Sequence, residues 1–185
     1  MTMFARFTPE ARRTTIRAGL LALDEGRTTL DEDLFLLALA ESWPVAGFTV
    51  TPEAVRTEIG ERRAAEGRAG DRELLATLGI DLDEIRRRIP VRRDDPLAWR
   101  LRRSRVRPLN VVLVGPVGDL PLTGRARKVV EVAMNRRGSG SRVTDEDLLR
   151  GLLADGSNAS VSILRHLGVD LLPLARSLNF LRRSA

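Results

Sequence analysis

Cysteine and tyrosine are absent from this sequence, lysine and histidine occur once each, as Lys128 and His166, and aromatics make up only 4% of the chain. Each scarcity excludes something. Without cysteine there is no disulfide, no thiolate metal site and no cysteine nucleophile. One histidine gives no basis for a Ser-His-Asp set or a histidine metal cluster. No apolar run approaches the roughly 20 residues that span a bilayer. The start, Met1 to Phe7, lacks the basic start and apolar stretch of a signal peptide. A soluble, cytoplasmic protein is therefore expected. With so few rings, the core has to be built from Leu, Val, Ile and Ala, as is common in helix bundles.

What is present is globular in character: 185 residues, 43% hydrophobic and 30% charged. That suits one domain of ordinary size, or two small halves sharing a core. The net charge is +6 and almost all of the positive charge is arginine. Such a bias follows from a GC-rich genome as readily as from selection for guanidinium chemistry. It permits contact with nucleic acid or an acidic partner.

The main feature is an imperfect internal repeat. One copy starts at Phe7-Thr8-Pro9-Glu10-Ala11, the other at Leu122-Thr123-Gly124-Arg125-Ala126. Each continues as an amphipathic helix and a short polar stretch. An acidic helix start follows: Asp31-Glu32-Asp33 before Leu34–Leu39, and Thr144-Asp145-Glu146-Asp147 before Leu148–Leu153. The copies close on related phrases, Leu74–Leu82 and Ile163–Leu171. Thr8 is a good N-cap and Pro9 suits the first helical position. Asp31 and Thr144 stand at equivalent N-cap positions, and the acids after them favour the positive end of the helix dipole. Gly79 and Gly168 suit the left-handed residue that ends a helix. Asp81 and Asp170 can then cap a short helix. Each repeat reads as three helices and a short fourth, with the repeats expected to pack through their first and third helices.

The copies differ in the middle. The first carries an insertion over Trp43–Gly70 with its own helix start at Thr51-Pro52-Glu53, where the second has the short loop Asp155-Gly156-Ser157-Asn158. Between the copies lies a basic linker, Arg92–Arg105, and then Leu109–Gly115, a β-branched run that is a strand candidate without an obvious partner. The division is repeat one over 1–89, linker over 90–119 and repeat two over 120–185.

These phrases resemble those of the N-terminal domain of Clp-type unfoldase chaperones, also called the Clp repeat domain. The family pattern F-T-x-x-A-x-x-V-L is matched at Phe7, Thr8 and Ala11, and again at Thr123, Ala126 and Val129. G-T-E-H-L-L-L-G-L is matched loosely from Asp33 to Leu39 and more closely from Glu146 to Leu152. V-L-x-x-L-G-V-D-L is matched in both closing phrases. The sequence departs from the family at Leu34 and Asp147, where the family has His, and at Leu122, where it has an aromatic. The resemblance covers roughly residues 4–89 and 120–178. It implies an all-α fold of two pseudo-symmetric four-helix repeats in one compact domain.

The family's unfoldases also carry a nucleotide-binding P-loop, G-x-x-x-x-G-K-[ST]. Gly115-Pro116-Val117-Gly118 has glycines but no following Lys-Ser/Thr, and Lys128 is followed by Val129. No cofactor, metal or catalytic residue is expected.

The resemblance further implies a ligand site in each repeat. In the ClpC branch these domains recruit adaptors and recognise phosphorylated arginine. The phosphoryl oxygens suit hydroxyls and helix N-termini, and the guanidinium suits a carboxylate. The residues carried over are Thr8 with Asp33, and Thr123 with Glu146. Against this, each Thr suffices as an N-cap and each acid as a helix-dipole partner. A second family surface, an apolar groove for adaptors and cyclic-peptide antibiotics, would be lined by Phe4, Phe7 and Leu122, unless these are ordinary core. The Arg100–Arg107 cluster, flanked by Trp99 and Pro108, could meet nucleic-acid phosphates, or could be a solvated linker. His166 fits a partly exposed helix end. The expected partners are a Clp unfoldase, an adaptor or a tagged substrate. The alternative roles are a decoy for cyclic peptides and a nucleic-acid-associated regulator.

Overall fold

The computed structural model describes residues 2–42, 50–66, 95–104, 110–135 and 141–178. The closing phrase of the first repeat, the Arg92-Arg93 start of the linker, and Arg105–Leu109 lie outside the described residues.

Local sequence sets the helix starts. Thr8 caps α1 (Pro9–Asp24), its hydroxyl accepting from the Ala11 N–H at 3.2 Å. Thr51 does the same for α3 (Pro52–Ala65), accepting from Ala54 at 3.2 Å. Between them lies α2 (Glu32–Ser42). In the second half, α4 (Gly124–Asn135) begins after Thr123, whose hydroxyl accepts from Ala126 at 3.4 Å. The next helix, α5 (Asp145–Leu153), starts with a full capping box between Thr144 and Asp147. Asn158 caps α6 (Ala159–His166), and Asp170 caps the short α7 (Leu171–Ser177). Gly168, with φ 74°, takes the left-handed turn between the last two. His166 sits exposed at the end of α6, with Nδ1 3.2 Å from Glu58 of α3.

The expected strand has partners, so the fold is not purely α-helical. Beside the helices stands a three-stranded antiparallel sheet in the order β1 (Arg100–Arg103), β2 (Val111–Gly115), β3 (Gly118–Pro121). The basic linker is thus partly a strand rather than a solvated chain. Trp99 and Leu101 are fully buried, whereas Arg100 and Arg103 are exposed. Leu101 lies opposite Leu113, which lies opposite Leu120, and this row faces the core. The glycines Gly115 and Gly118 pair across a hairpin turn made by Pro116 and Val117. A short 3-10 turn, Met3–Arg6, packs on β1, with the Thr2 hydroxyl donating to the Leu101 carbonyl at 3.1 Å.

Packing between the halves differs from expectation. The second helix of the first repeat, α2, is the central element. Every residue from Glu32 to Leu39 is buried, and α2 touches α1, α3, α4, α5 and α6. The reason is compositional: Leu34–Leu39 is apolar on all faces, and such a helix has no solvent side to offer. The first helix contributes a smaller contact, α1 against α5. The insertion helix α3 buries Val55 and Ile59 and reaches both α2 and α6, so it bridges the halves.

Two isolated parallel bridges join the first half of the chain to the second. Phe7 pairs with Val143, and Leu30 pairs with Leu122. In the first, the Thr8 N–H donates to the Val143 carbonyl (2.9 Å) and the Val143 N–H to the Arg6 carbonyl (2.7 Å). In the second, the Thr123 N–H donates to the Leu30 carbonyl (3.0 Å) and the Leu30 N–H to the Pro121 carbonyl (2.9 Å). Thr8 and Thr123 thus make like backbone bonds, to Val143 and Leu30.

Candidate functional site

Each bridge lays the entry of one repeat's first helix beside the entry of the other repeat's second helix. Two clefts result, both between repeats rather than within them. The pairing expected from sequence is therefore exchanged. Thr8 shares a cleft with Glu146, and Thr123 shares one with Asp33.

Cleft one, of about 580 Å³, lies between the starts of α1 and α5. Its walls include Thr8, Glu10, Arg13, Thr14, Asp145 and Glu146. Three acids thus face one arginine, beside two helix N-termini whose dipoles also favour anions. Burial raises the Asp145 carboxyl above its ordinary value; Glu10 adds repulsion, and a hydrogen bond from Thr14 opposes both. Its Oδ1 is buried without a partner. Glu146 has about half its side chain exposed and stands 3.5 Å from Arg150. The next acid, Asp147, is fully buried, accepts from Arg150 at 2.8 Å, and closes the capping box with Thr144. Glu146 is the projecting acid of this helix start, and Asp147 its structural one.

Cleft two, of about 460 Å³, lies between the starts of α2 and α4. Here Asp33 is buried and engaged: both its oxygens accept from Arg27 Nη1, at 2.9 and 3.0 Å. The same guanidinium meets Glu25 at 2.6 Å and Asp31 at 3.2 Å. Burial raises the Asp33 carboxyl even against the pull of Arg27. The adjacent Glu32 accepts from the first backbone N–H of α6, that of Ala159, at 3.2 Å. The same carboxylate stands 3.6 Å from Arg125, and the Ser160 hydroxyl donates to the Glu32 carbonyl at 3.1 Å. The last turn of α3 adds Arg62, Arg63 and Glu66 to the wall.

The three apolar residues are core. Phe4, Phe7 and Leu122 are 3%, 4% and 7% exposed. Phe4 and Phe7 meet edge to face with centroids 5.5 Å apart, and the Arg12 guanidinium covers Phe4 at 5.1 Å. Arg12 in turn donates to the carbonyls of Pro96 and Trp99. The ring pair is thus sealed between the N-terminal turn, α1 and the sheet.

Sequence reasoning passed over Glu10, Arg13, Thr14, Asp145, Arg27 and Arg125. The signal for the first four lay in the repeat itself. The first helix start of one repeat and the second helix start of the other can face each other within one domain. Arg27 and Arg125 carried no comparable mark among so many arginines.

No group of His, Cys, Asp and Glu among the described residues is arranged to hold a metal ion. No helix among them is long and apolar enough to cross a membrane.

No protein-family model matches this chain, and no curated protein does. A solved structure is similar: the N-terminal domain of the caseinolytic protease associated chaperone ClpD from Arabidopsis thaliana. The TM-score is 0.59 at 17% identity, and the match covers 98% of this chain and 97% of that one. The chain therefore has a fold like that of a Clp chaperone N-terminal domain.

Proposed function

We propose that this protein is a non-catalytic recognition module that binds a segment of another protein, in the setting of Clp-dependent proteolysis, through cleft one. One observation carries the reading: Thr8 and Glu146, from different repeats, meet in one open cleft with an excess of acid. Glu146 and Glu10 suit a guanidinium, and the starts of α1 and α5 suit a phosphoryl group. A phosphorylated arginine side chain carries both. The likeness to the ClpD domain supports the setting. Its adaptor, unfoldase or tagged-substrate partner would present such a side chain on an exposed loop.

The hydroxyls of Thr8 and Thr144 already serve as caps. The reading therefore rests on the acids and helix ends rather than on free hydroxyls. No observation favours the decoy reading, since Phe4, Phe7 and Leu122 are buried. Nor does any favour the nucleic-acid reading: Arg102, at the middle of the described basic strand, stands 3.6 Å from Asp119.

Isothermal titration with free phosphoarginine tests the proposal. Binding by the wild type and its loss in Glu146→Ala is the expected result. Equal heats from both proteins would remove the assignment.

A further inference from the structure

The two bridges make two clefts, yet the clefts are not equally empty. We propose that cleft two is occupied by the chain's own arginines, so that the protein takes one ligand where its pseudo-symmetry offers two places. The inference builds on the recognition reading above, which it makes monovalent.

Charge is the first argument. Cleft one presents Glu10, Asp145 and Glu146 against Arg13, with Arg150 seated behind Glu146 and shared with Asp147. Cleft two presents Asp31, Glu32, Asp33 and Glu66 against Arg62, Arg63 and Arg125, with Arg27 seated behind Asp33. The first cleft keeps a net negative charge for the guanidinium end of a ligand. The second is neutralised from within.

Geometry is the second. Asp33 corresponds by alignment to Glu146. Glu146 projects, with 49% of its side chain exposed. Asp33 has 11% exposed and both oxygens on Arg27. Glu32 corresponds to Asp145, which has a buried oxygen without a partner. The Glu32 carboxylate is instead held by the Ala159 N–H and Arg125. Each cleft-two acid thus already has a guanidinium where a ligand's would sit. A tethered guanidinium competes at a high effective concentration, so a free one gains little by displacing it.

The inserted helix is the third. Its last turn lines cleft two. It is held there by Val55 and Ile59 in the core, by Arg56 on Glu41 at 2.9 Å and by Glu58 on His166 at 3.2 Å. The second repeat has only the Asp155–Asn158 loop at the equivalent point of its sequence. The insertion therefore makes the pair of clefts unequal.

Arg125 is the removable part of this closure, because its side chain is half exposed and its loss leaves the buried Arg27–Asp33 pair intact. The experiment is a backbone-amide NMR titration with phosphoarginine, on wild type and Arg125→Ala, reading the two clefts by their own residues. The reporters are Glu10 and Glu146 for cleft one, and Glu32 and Thr123 for cleft two. In the wild type only the cleft-one amides should shift. In Arg125→Ala the cleft-two amides should shift as well. Equal response of both clefts in the wild type overturns the inference and leaves the recognition reading standing. Silence at cleft one with a gain at cleft two in Arg125→Ala overturns the recognition reading and the count of one ligand, and supports only the closure of cleft two by Arg125. A cleft two that stays silent in Arg125→Ala overturns the inference whatever cleft one does.

Discussion

The Thr8 N–H donates to the Val143 carbonyl at 2.9 Å, and this bond joins the first residues of one repeat to the middle of the other. Its counterpart runs from Thr123 to Leu30 at 3.0 Å. Backbone bonds of this kind do not depend on side-chain identity, so they persist while the acids around them change. The clefts are consequently fixed in place by the fold and specialised by their side chains.

Thr8 separates these two levels. Its hydroxyl caps α1 while its backbone makes the bridge. Thr8→Ala should cost about 1 kcal/mol through the lost cap, and Thr8→Ser should cost little. Chemical denaturation of the two variants checks this. A Ser variant as unstable as the Ala variant would show that the threonine methyl, rather than the cap, matters.

The neighbours Glu146 and Asp147 should behave oppositely. Glu146 lines cleft one half exposed and stands 3.5 Å from the buried Arg150. Its replacement by Ala should change stability by no more than about 0.5 kcal/mol while abolishing ligand binding. Asp147 is fully buried, completes the capping box and pairs with a buried Arg150. Asp147→Ala removes the capping box and the nearest carboxylate of Arg150, which keeps Glu146 and the Leu178 carbonyl, and should cost about 2–3 kcal/mol. Paired measurements of melting and of phosphoarginine binding distinguish the two residues.

The helix starts were legible because capping is local. Thr8, Thr51, Thr144 and Asp170 each cap where the sequence says they should, and Gly168 turns left-handed as its place after Leu167 requires. The sheet was hidden because β1 is written in arginine. The alternation Trp99-Arg100-Leu101-Arg102 has the period of a half-buried strand, but the arginine run reads first as a solvated linker. The pairing of site residues was hidden for a different reason. Thr8 with Asp33 is the natural choice within one repeat, and only the bridge to Val143 shows that the cleft forms across repeats. The fate of Asp33 depended on Arg27, six positions earlier, and nothing in the sequence distinguishes that arginine from its many fellows.

Gly151 marks the closest approach of α4 and α5. A Cβ there would lie 2.4 Å from the Val129 carbonyl oxygen and 3.0 Å from its carbon. Both are backbone atoms of the facing helix, so no side-chain rotation relieves the clash. Gly151→Ala should destabilise by about 1–3 kcal/mol, lowering the melting temperature by about 2–4 °C for each of these in a chain of this size. Calorimetry checks it. An unchanged melting temperature would mean that the two helices slide apart without loss.

Asp145 should couple stability to pH. Burial and the nearby Glu10 raise its carboxyl above the ordinary 3.8. The folded chain therefore binds that proton more tightly than the unfolded chain does. The sign follows: the cost of the charged form is fully present above the folded-state value, and it is relieved as pH falls through that value towards 3.8. Asp145→Asn removes the charge and keeps the shape. It should be more stable than wild type at neutral pH, and the gap should narrow in acid. Glu10→Gln removes the repulsion and should bring the Asp145 carboxyl down, which carboxyl-carbon NMR reads directly. The guanidinium end of a bound phosphoarginine should lower it and the phosphoryl end should raise it, so the sign of a proton release or uptake on binding that Asp145→Asn abolishes reports which end lies at Asp145. Ligand heats that are independent of the ionisation enthalpy of the buffer would show that Asp145 does not sense the ligand.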